Sequence, residues 1–239
     1  MLLGFTTGKI TTISLFEKVN LFRKLGCNAI ELSILDINRF ENFKEILPAL
    51  DLLSFSFRSV HAPCFRLDGD KKTKIFYKDD EQTRNILDKV SWLTENAKAD
   101  LVVFHPDLVE DWSVFKEFNF PLAVENMDWT KNKYKSVEDI KKLFETVDAS
   151  MVLDINHCFT NDQTNKLAKE MLFAFNERIK EIHLSGFNRY HEPLYQTKQE
   201  TIINLITRRD VPVILEGFCQ TVDEYEKEFQ YITEKIGKI

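Results

Sequence analysis

The feature that most restricts the fold is an alternation. Short apolar segments of strand length are followed by stretches with helical spacing, eight times in succession, at about 30 residues per unit. The strand segments read as residues 2–6, 28–32, 57–63, 101–106, 121–126, 151–154, 180–184 and 211–216. Between them, apolar residues recur at helical spacing over 12–25, where Gly26 provides a stop, and over 40–50, 80–97, 163–176, 197–207 and 221–236. A shorter helix is expected near 111–118, and Ser136-Val137-Glu138-Asp139 opens another with a cap-like start. Residues 64–79 read as a long loop carrying Arg66, Lys71, Lys72 and Lys74. Strict alternation of apolar strands with helices points to an α/β fold, a single (βα)8 TIM barrel with a closed parallel sheet spanning 1–239. An open doubly wound sheet would carry a glycine-rich phosphate turn after its first strand; Thr6-Thr7-Gly8 is not one.

Bulk properties fit one soluble domain. Hydrophobic residues make up 44%, charged residues 29%, and the formal net charge of -6 argues against broad nucleic-acid binding. No apolar run reaches transmembrane length, and Met1–Lys9 does not read as a secretory signal, so a cytoplasmic location with no membrane partner is expected. Cys27, Cys64, Cys158 and Cys219 are spaced too irregularly for a zinc knuckle or a disulfide framework. They read as small residues lining a site in a reducing compartment, with soft-metal ligation or a regulatory disulfide as a minor alternative.

In such a barrel the chemistry lies at the C-terminal ends of the strands. The polar residues falling there are Glu31, His61, His105, Glu125, Asp154, His157, His183, His191 and Glu216, which include all five histidines of the chain. The stretch Met151–Phe159 is representative: an unbroken apolar strand meets Asp154, and His157 follows three residues on. A carboxylate at that position is costly to bury unless it meets a cation or hydrogen-bond donors. Glu125, Asp154 and Glu216 would converge with His183 on one axis, and like charges that close cannot all stay ionised without a cation. A divalent metal answers this: three oxygens and an imidazole suit Mn, Mg, Co or Zn. The additional His61, His105, His157 and His191 add nitrogen donors that favour zinc or a multi-metal site, so between one and three ions are expected per chain.

His61-Ala62-Pro63, His105-Pro106, Val124-Glu125-Asn126, Leu153-Asp154-Ile155-Asn156-His157, Ile182-His183-Leu184 and Ile214-Leu215-Glu216, in that order, resemble the xylose isomerase-like TIM barrels. Two branches of that superfamily are relevant: endonuclease IV, a zinc-cluster enzyme acting at abasic sites in DNA, and the metal-dependent sugar isomerases and ketose 3-epimerases. The resemblance implies that Glu125, Asp154, His183 and Glu216 are metal ligands in either branch. It implies that His61 and His105 bind a further zinc in the endonuclease branch. His157 would bind a third zinc there, or substrate in the epimerases. His191 resembles the histidine of an Asp-x-His pair, but Arg189 stands where the aspartate is expected, and an arginine would repel a third cation. In the epimerase branch Arg189 resembles a substrate-binding arginine.

Two chemistries follow. The first is isomerisation or epimerisation of a small sugar or sugar phosphate through a metal-stabilised enediolate. Glu125 and Glu216 would move the proton, and His157, Arg189, Glu31 and Trp129 would contact substrate. Loop lysines could meet a phosphate. The alternative is zinc-dependent phosphodiester hydrolysis, the only case in which nucleic acid is a partner, with Trp129, Lys131, Lys133 and Lys135 as the nearest basic loop. A barrel that binds ligand without catalysis is the non-enzymatic reading. Oligomeric state is left open.

Overall fold

The structure is a computed structural model that describes residues 1–8 and 13–237. The expected start of the first helix at Thr12 lies outside the described residues.

The strands in chain order are β1 (Leu3–Thr6), β2 (Ala29–Ser33), β3 (Phe57–His61), β4 (Phe65–Asp68), β5 (Lys71–Lys74), β6 (Leu101–Phe104), β7 (Leu122–Glu125), β8 (Ser150–Asp154), β9 (Ile179–Leu184) and β10 (Val213–Leu215). Leaving out β4 and β5, eight parallel strands close a barrel in that order. β1 pairs with β2 on one side and β10 on the other, with Phe5 opposite both Ile30 and Leu215. The seam between β1 and β2 is tight: a Cβ on Gly4 would lie 1.7 Å from the carbonyl oxygen of Ala29. The expected α/β (βα)8 TIM barrel is therefore the observed fold.

Helices α1 (Leu15–Leu25), α2 (Phe40–Ile46), α3 (Glu81–Ala97), α4 (Val137–Thr146), α5 (Ile155–Asn161), α6 (Lys166–Ala174), α7 (Leu194–Thr197), α8 (Glu200–Ile203) and α9 (Val222–Ile236) connect the strands. Their starts follow the sequence. Ser14 with Glu17, Ser136 with Asp139 and Thr221 with Glu224 form capping boxes, each satisfying backbone N–H groups that a helix N-terminus leaves unpaired. Gly26 ends α1 at φ 87, a left-handed conformation that suits glycine.

Four segments differ from expectation. Residues 64–79 are not a plain loop: β4 and β5 form an antiparallel hairpin turning at Gly69, where φ is 61. An all-polar β5 has no apolar face to betray it, but the Lys72 ammonium lies 3.9 Å from the centre of the Phe65 ring. Residues 112–117 form a 3-10 helix. The expected helix at 163–176 is preceded by α5, which starts directly at the end of β8. The expected helix at 197–207 is divided into the single turns α7 and α8.

Strand alternation sorts the side chains between two cores. Val60, Val124, Met151, Leu153, Ile182, Val213 and Leu215 face the helices and join the large outer core. Leu101, Val103, Ala123 and Val152 form a small separate cluster on the inner face. Two residues further on, the inner face becomes polar: Ala123 leads to Glu125, Val152 to Asp154 and Val103 to His105. An apolar plug thus sits beneath a polar layer at the C-terminal ends of the strands.

Candidate metal centre

Glu125 is the centre of the polar layer. It is 1% exposed, and its two oxygens face opposite groups of imidazoles. Oε1 lies 3.2 Å from His183 Nδ1 and 3.5 Å from His157 Nδ1. Oε2 lies 3.0 Å from His105 Nε2 and 3.6 Å from His61 Nε2, and those two nitrogens are 3.2 Å apart. Glu216, directly after β10, brings its oxygens within 3.7 Å of both His183 Nδ1 and His191 Nδ1.

Asp154 has two tasks. It ends β8 and caps α5, its Oδ1 accepting the His157 backbone N–H at 2.9 Å. Its Oδ2 faces His157 Nε2 at 3.4 Å. The expected strand-to-loop corner is therefore a strand-to-helix corner, with His157 in the first turn. Asn126, which sequence reasoning passed over, holds this corner to β7. Its amide nitrogen donates to the Asp154 carbonyl at 2.9 Å, and its amide oxygen accepts the Asp154 N–H at 2.9 Å. The Asn126 carbonyl in turn lies 2.8 Å from His157 Nδ1.

The electrostatics show how crowded these acids are. Burial works against ionisation of Glu125, but the His183 charge and the facing His105, His183 and His61 rings hold its carboxyl well below the usual range. Asp154 is raised to about 7: burial is the main cause, Glu125 and Glu216 add to it, and His157 opposes it. Burial disfavours a charged His183, and the carboxylates of Glu216, Glu31 and Glu125 outweigh it, raising its pKa well above the ordinary value. His61 is raised to about 9: burial opposes its charge, and Glu125 and Glu31 favour it. Burial lowers His105 despite the adjacent Glu125.

The donor set fits a divalent cation. One ligand atom from each of Glu125, Asp154, His183 and Glu216 falls within a 4.8 Å group. Buried Glu125 Oε2 and Asp154 Oδ2 lack an aligned hydrogen-bond donor, as do Glu31 Oε2 and Glu181 Oε2 on the far side of His183, a polar layer suited to a cation. Three further groups with the same spread are His61–Cys64–His105, Asp154–His157–His191 and Glu31–Glu181–His183. His191 is additionally held by Ser185, with 2.8 Å between Oγ and Nδ1.

A cavity of about 410 Å³ opens above these groups. His61, His105, Glu125, His157, His191 and Glu216 reach its wall, and Arg189, Trp129, Lys72 and Lys74 line its mouth. Glu192 shapes the loop bearing Arg189 by accepting the backbone N–H groups of Asn188, Arg189 and Tyr190. Lys131 is committed to Asp107 at 2.7 Å. Glu31 is the exception among the expected substrate contacts. It is fully buried, does not line the cavity, and sits behind His183, with Oε2 3.3 Å from Nε2. Glu181, unnoticed in the sequence, joins it there at 3.0 Å. The signal was available: Glu181 precedes His183 by two residues and so shares its inward face.

The same closed barrel is found in solved structures of low sequence identity. An endonuclease IV from Thermus thermophilus superposes with a TM-score of 0.70 at 14% identity, covering all of both chains. The 3-keto-D-glucoside 4-epimerase of E. coli gives 0.65 at 11% identity, with 98% of this chain and 99% of that one covered. The D-psicose 3-epimerase of Clostridium cellulolyticum gives 0.63 at 11%, with 98% and 97% covered. No family model and no curated protein matches the sequence. Among the described residues, no helix is long and apolar enough to cross a membrane.

Proposed function

We propose that the protein is a divalent-metal-dependent enzyme that isomerises or epimerises a small sugar or sugar phosphate. The observation carrying this reading is the Glu125–Asp154–His183–Glu216 group beneath an open cavity, with buried carboxylate oxygens lacking aligned donors. Those four residues would hold the ion, manganese, zinc, cobalt or magnesium by donor type. A bound divalent ion would polarise the carbonyl and hydroxyl oxygens of a sugar and offset the negative charge that develops on them. Glu125 and Glu216 reach the cavity from separate strands and are the groups to remove a proton from carbon and return it. His157 and Arg189 would orient substrate oxygens, Trp129 offers an apolar face at the mouth, and Lys72 and Lys74 could meet a phosphate. The sugar epimerases among the structural neighbours support this class by analogy of fold.

A second reading is metal-dependent phosphodiester hydrolysis. It is favoured by the close approach of His61 and His105 to Glu125 Oε2, a second donor group beside the first. Arg189 at the mouth disfavours a third ion next to His157 and His191. Elemental analysis of protein purified without chelator separates the two. One ion per chain, with turnover of a ketose or its phosphate that is lost in both Glu125→Gln and Glu216→Gln, is expected. Two or more zinc ions with cleavage of abasic DNA would favour hydrolysis, and full sugar turnover in either variant would refute the two-base mechanism.

A further inference from the structure

The imidazole of His183 divides the polar layer into two levels. Its Nδ1 faces upward, 3.2 Å from Glu125 and 3.7 Å from Glu216. Its Nε2 faces the barrel floor, 3.0 Å from Glu181 Oε1 and 3.3 Å from Glu31 Oε2. His183, Glu181 and Glu31 are fully buried and none lines the cavity, so neither carboxylate meets substrate. Each is braced by a hydroxyl. Ser59 Oγ on β3 donates to Glu181 at 3.0 Å, and Thr6 Oγ1 on β1 donates to Glu31 at 2.6 Å. The His183 ring is thereby tied to β1, β2 and β3, whereas the four expected ligands come from β7 to β10.

Two buried carboxylates are a costly way to support a ring that packing alone could hold. The inner-face neighbours Leu101, Val103, Ala123 and Val152 are apolar, and Val152 stands opposite Glu181 in register, so packing at this level does not require acids. What acids can do, and apolar groups cannot, is choose the tautomer. Oxygens of an ionised carboxylate only accept, so facing them Nε2 carries a hydrogen. In the neutral ring that leaves the Nδ1 lone pair directed at Glu125 and Glu216, a repulsive arrangement unless a cation stands between them.

We propose that Glu181, which accepts the Nε2–H of His183, and Glu31, whose charge faces the same nitrogen, are positioning residues that fix Nδ1 as the metal-facing nitrogen and strengthen that nitrogen as a donor. The proposal rests on His183 being a metal ligand, as in the function proposed above. Loss of such an outer partner typically weakens metal affinity by 10–100-fold.

The test uses the intact chain labelled with ¹⁵N-histidine. Zn²⁺, which is diamagnetic, is titrated in competition with nitrilotriacetate and followed at the His183 ring nitrogens. In the wild type, Nε2 is expected to be protonated and Nδ1 metal-bound. Glu181→Gln and Glu31→Gln should each weaken Zn²⁺ binding by about 10–100-fold, with far-UV circular dichroism unchanged. Glu181→Asp, which retains the charge, should recover part of the loss. Ser59→Ala, which leaves both carboxylates in place, supplies a milder variant with a smaller loss should a Gln variant fail to fold. Wild-type affinity in the folded Gln variants, or a Zn²⁺-loaded His183 protonated at Nδ1, would overturn this proposal and leave the metal centre standing. A wild type that takes up no Zn²⁺ at His183 would overturn both.

Discussion

Glu228 allows a stability measurement whose sign is fixed in advance. It lies on α9, fully buried, and its two oxygens accept the backbone N–H groups of Leu194 and Tyr195 at 2.9 and 2.8 Å, capping α7 from outside. Burial raises its pKa from 4.5 to about 7, against the pull of those N–H groups and Lys198. The native state therefore holds this proton more tightly than the unfolded chain. The associated stability is fully present below about pH 4.5 and is lost as pH rises through about 7. At about 1.4 kcal/mol per unit, the loss is about 3 kcal/mol. Glu228→Gln cannot titrate. It keeps one acceptor oxygen and gives up the other, at a pH-independent cost of about 1–2 kcal/mol. Urea unfolding of both proteins between about pH 4.5 and pH 8 should therefore show the wild type ahead at the acid end and the variant ahead at the alkaline end. Asp154 titrates in the same range, but it is common to both proteins and cancels in the difference. A gap between the two that stays constant with pH would refute the reasoning.

Gly4→Ala forces a Cβ to within 1.7 Å of the Ala29 carbonyl, where backbone pairing leaves no room to yield, so a loss of at least about 3 kcal/mol in urea unfolding is expected. Gly26→Ala meets no atom within 4 Å and strains only a left-handed backbone, so the same assay should register about 1 kcal/mol. Burial, with the nearby Arg39 charge, lowers Lys18 from 10.5 to about 8. The unfolded chain then binds the proton more tightly, and stability should rise as pH increases from about 8 to 10.5. Lys18→Met should flatten that rise in a series of thermal melts, and an unchanged slope would count against the assignment.

The barrel was legible because its signal is redundant: eight strands with the same apolar interruption are hard to misread together. The polar ends were legible for a related reason, since Glu125, Asp154 and Glu216 each break an otherwise apolar strand. Failures came where local pattern and long-range pairing disagree. Lys71–Lys74 has no alternation of its own and becomes a strand only through its register with Phe65–Asp68. Glu31 was found, but its direction was not. Whether an inward acid meets substrate or lies behind a histidine depends on its depth in the barrel, which follows from the stagger of neighbouring strands. Asn126 was missed because its two bonds run to the backbone of β8, 28 residues away, a pairing no local window contains.

The order of the proposed ligands along the chain bears on how the chain is made. Glu125, Asp154 and His183 stand on β7, β8 and β9, and Glu216 follows β10, the strand against which β1 closes the barrel. A nascent chain emerging from the ribosome can present three of the four ligands while its barrel is still an open trough. The fourth arrives only with the segment that seals it. If the proposed ligand set holds an ion, its tight capture would be coupled to ring closure, and incomplete or mispaired chains would be poor competitors for scarce metal. A single site would then act as both catalytic centre and final checkpoint on assembly.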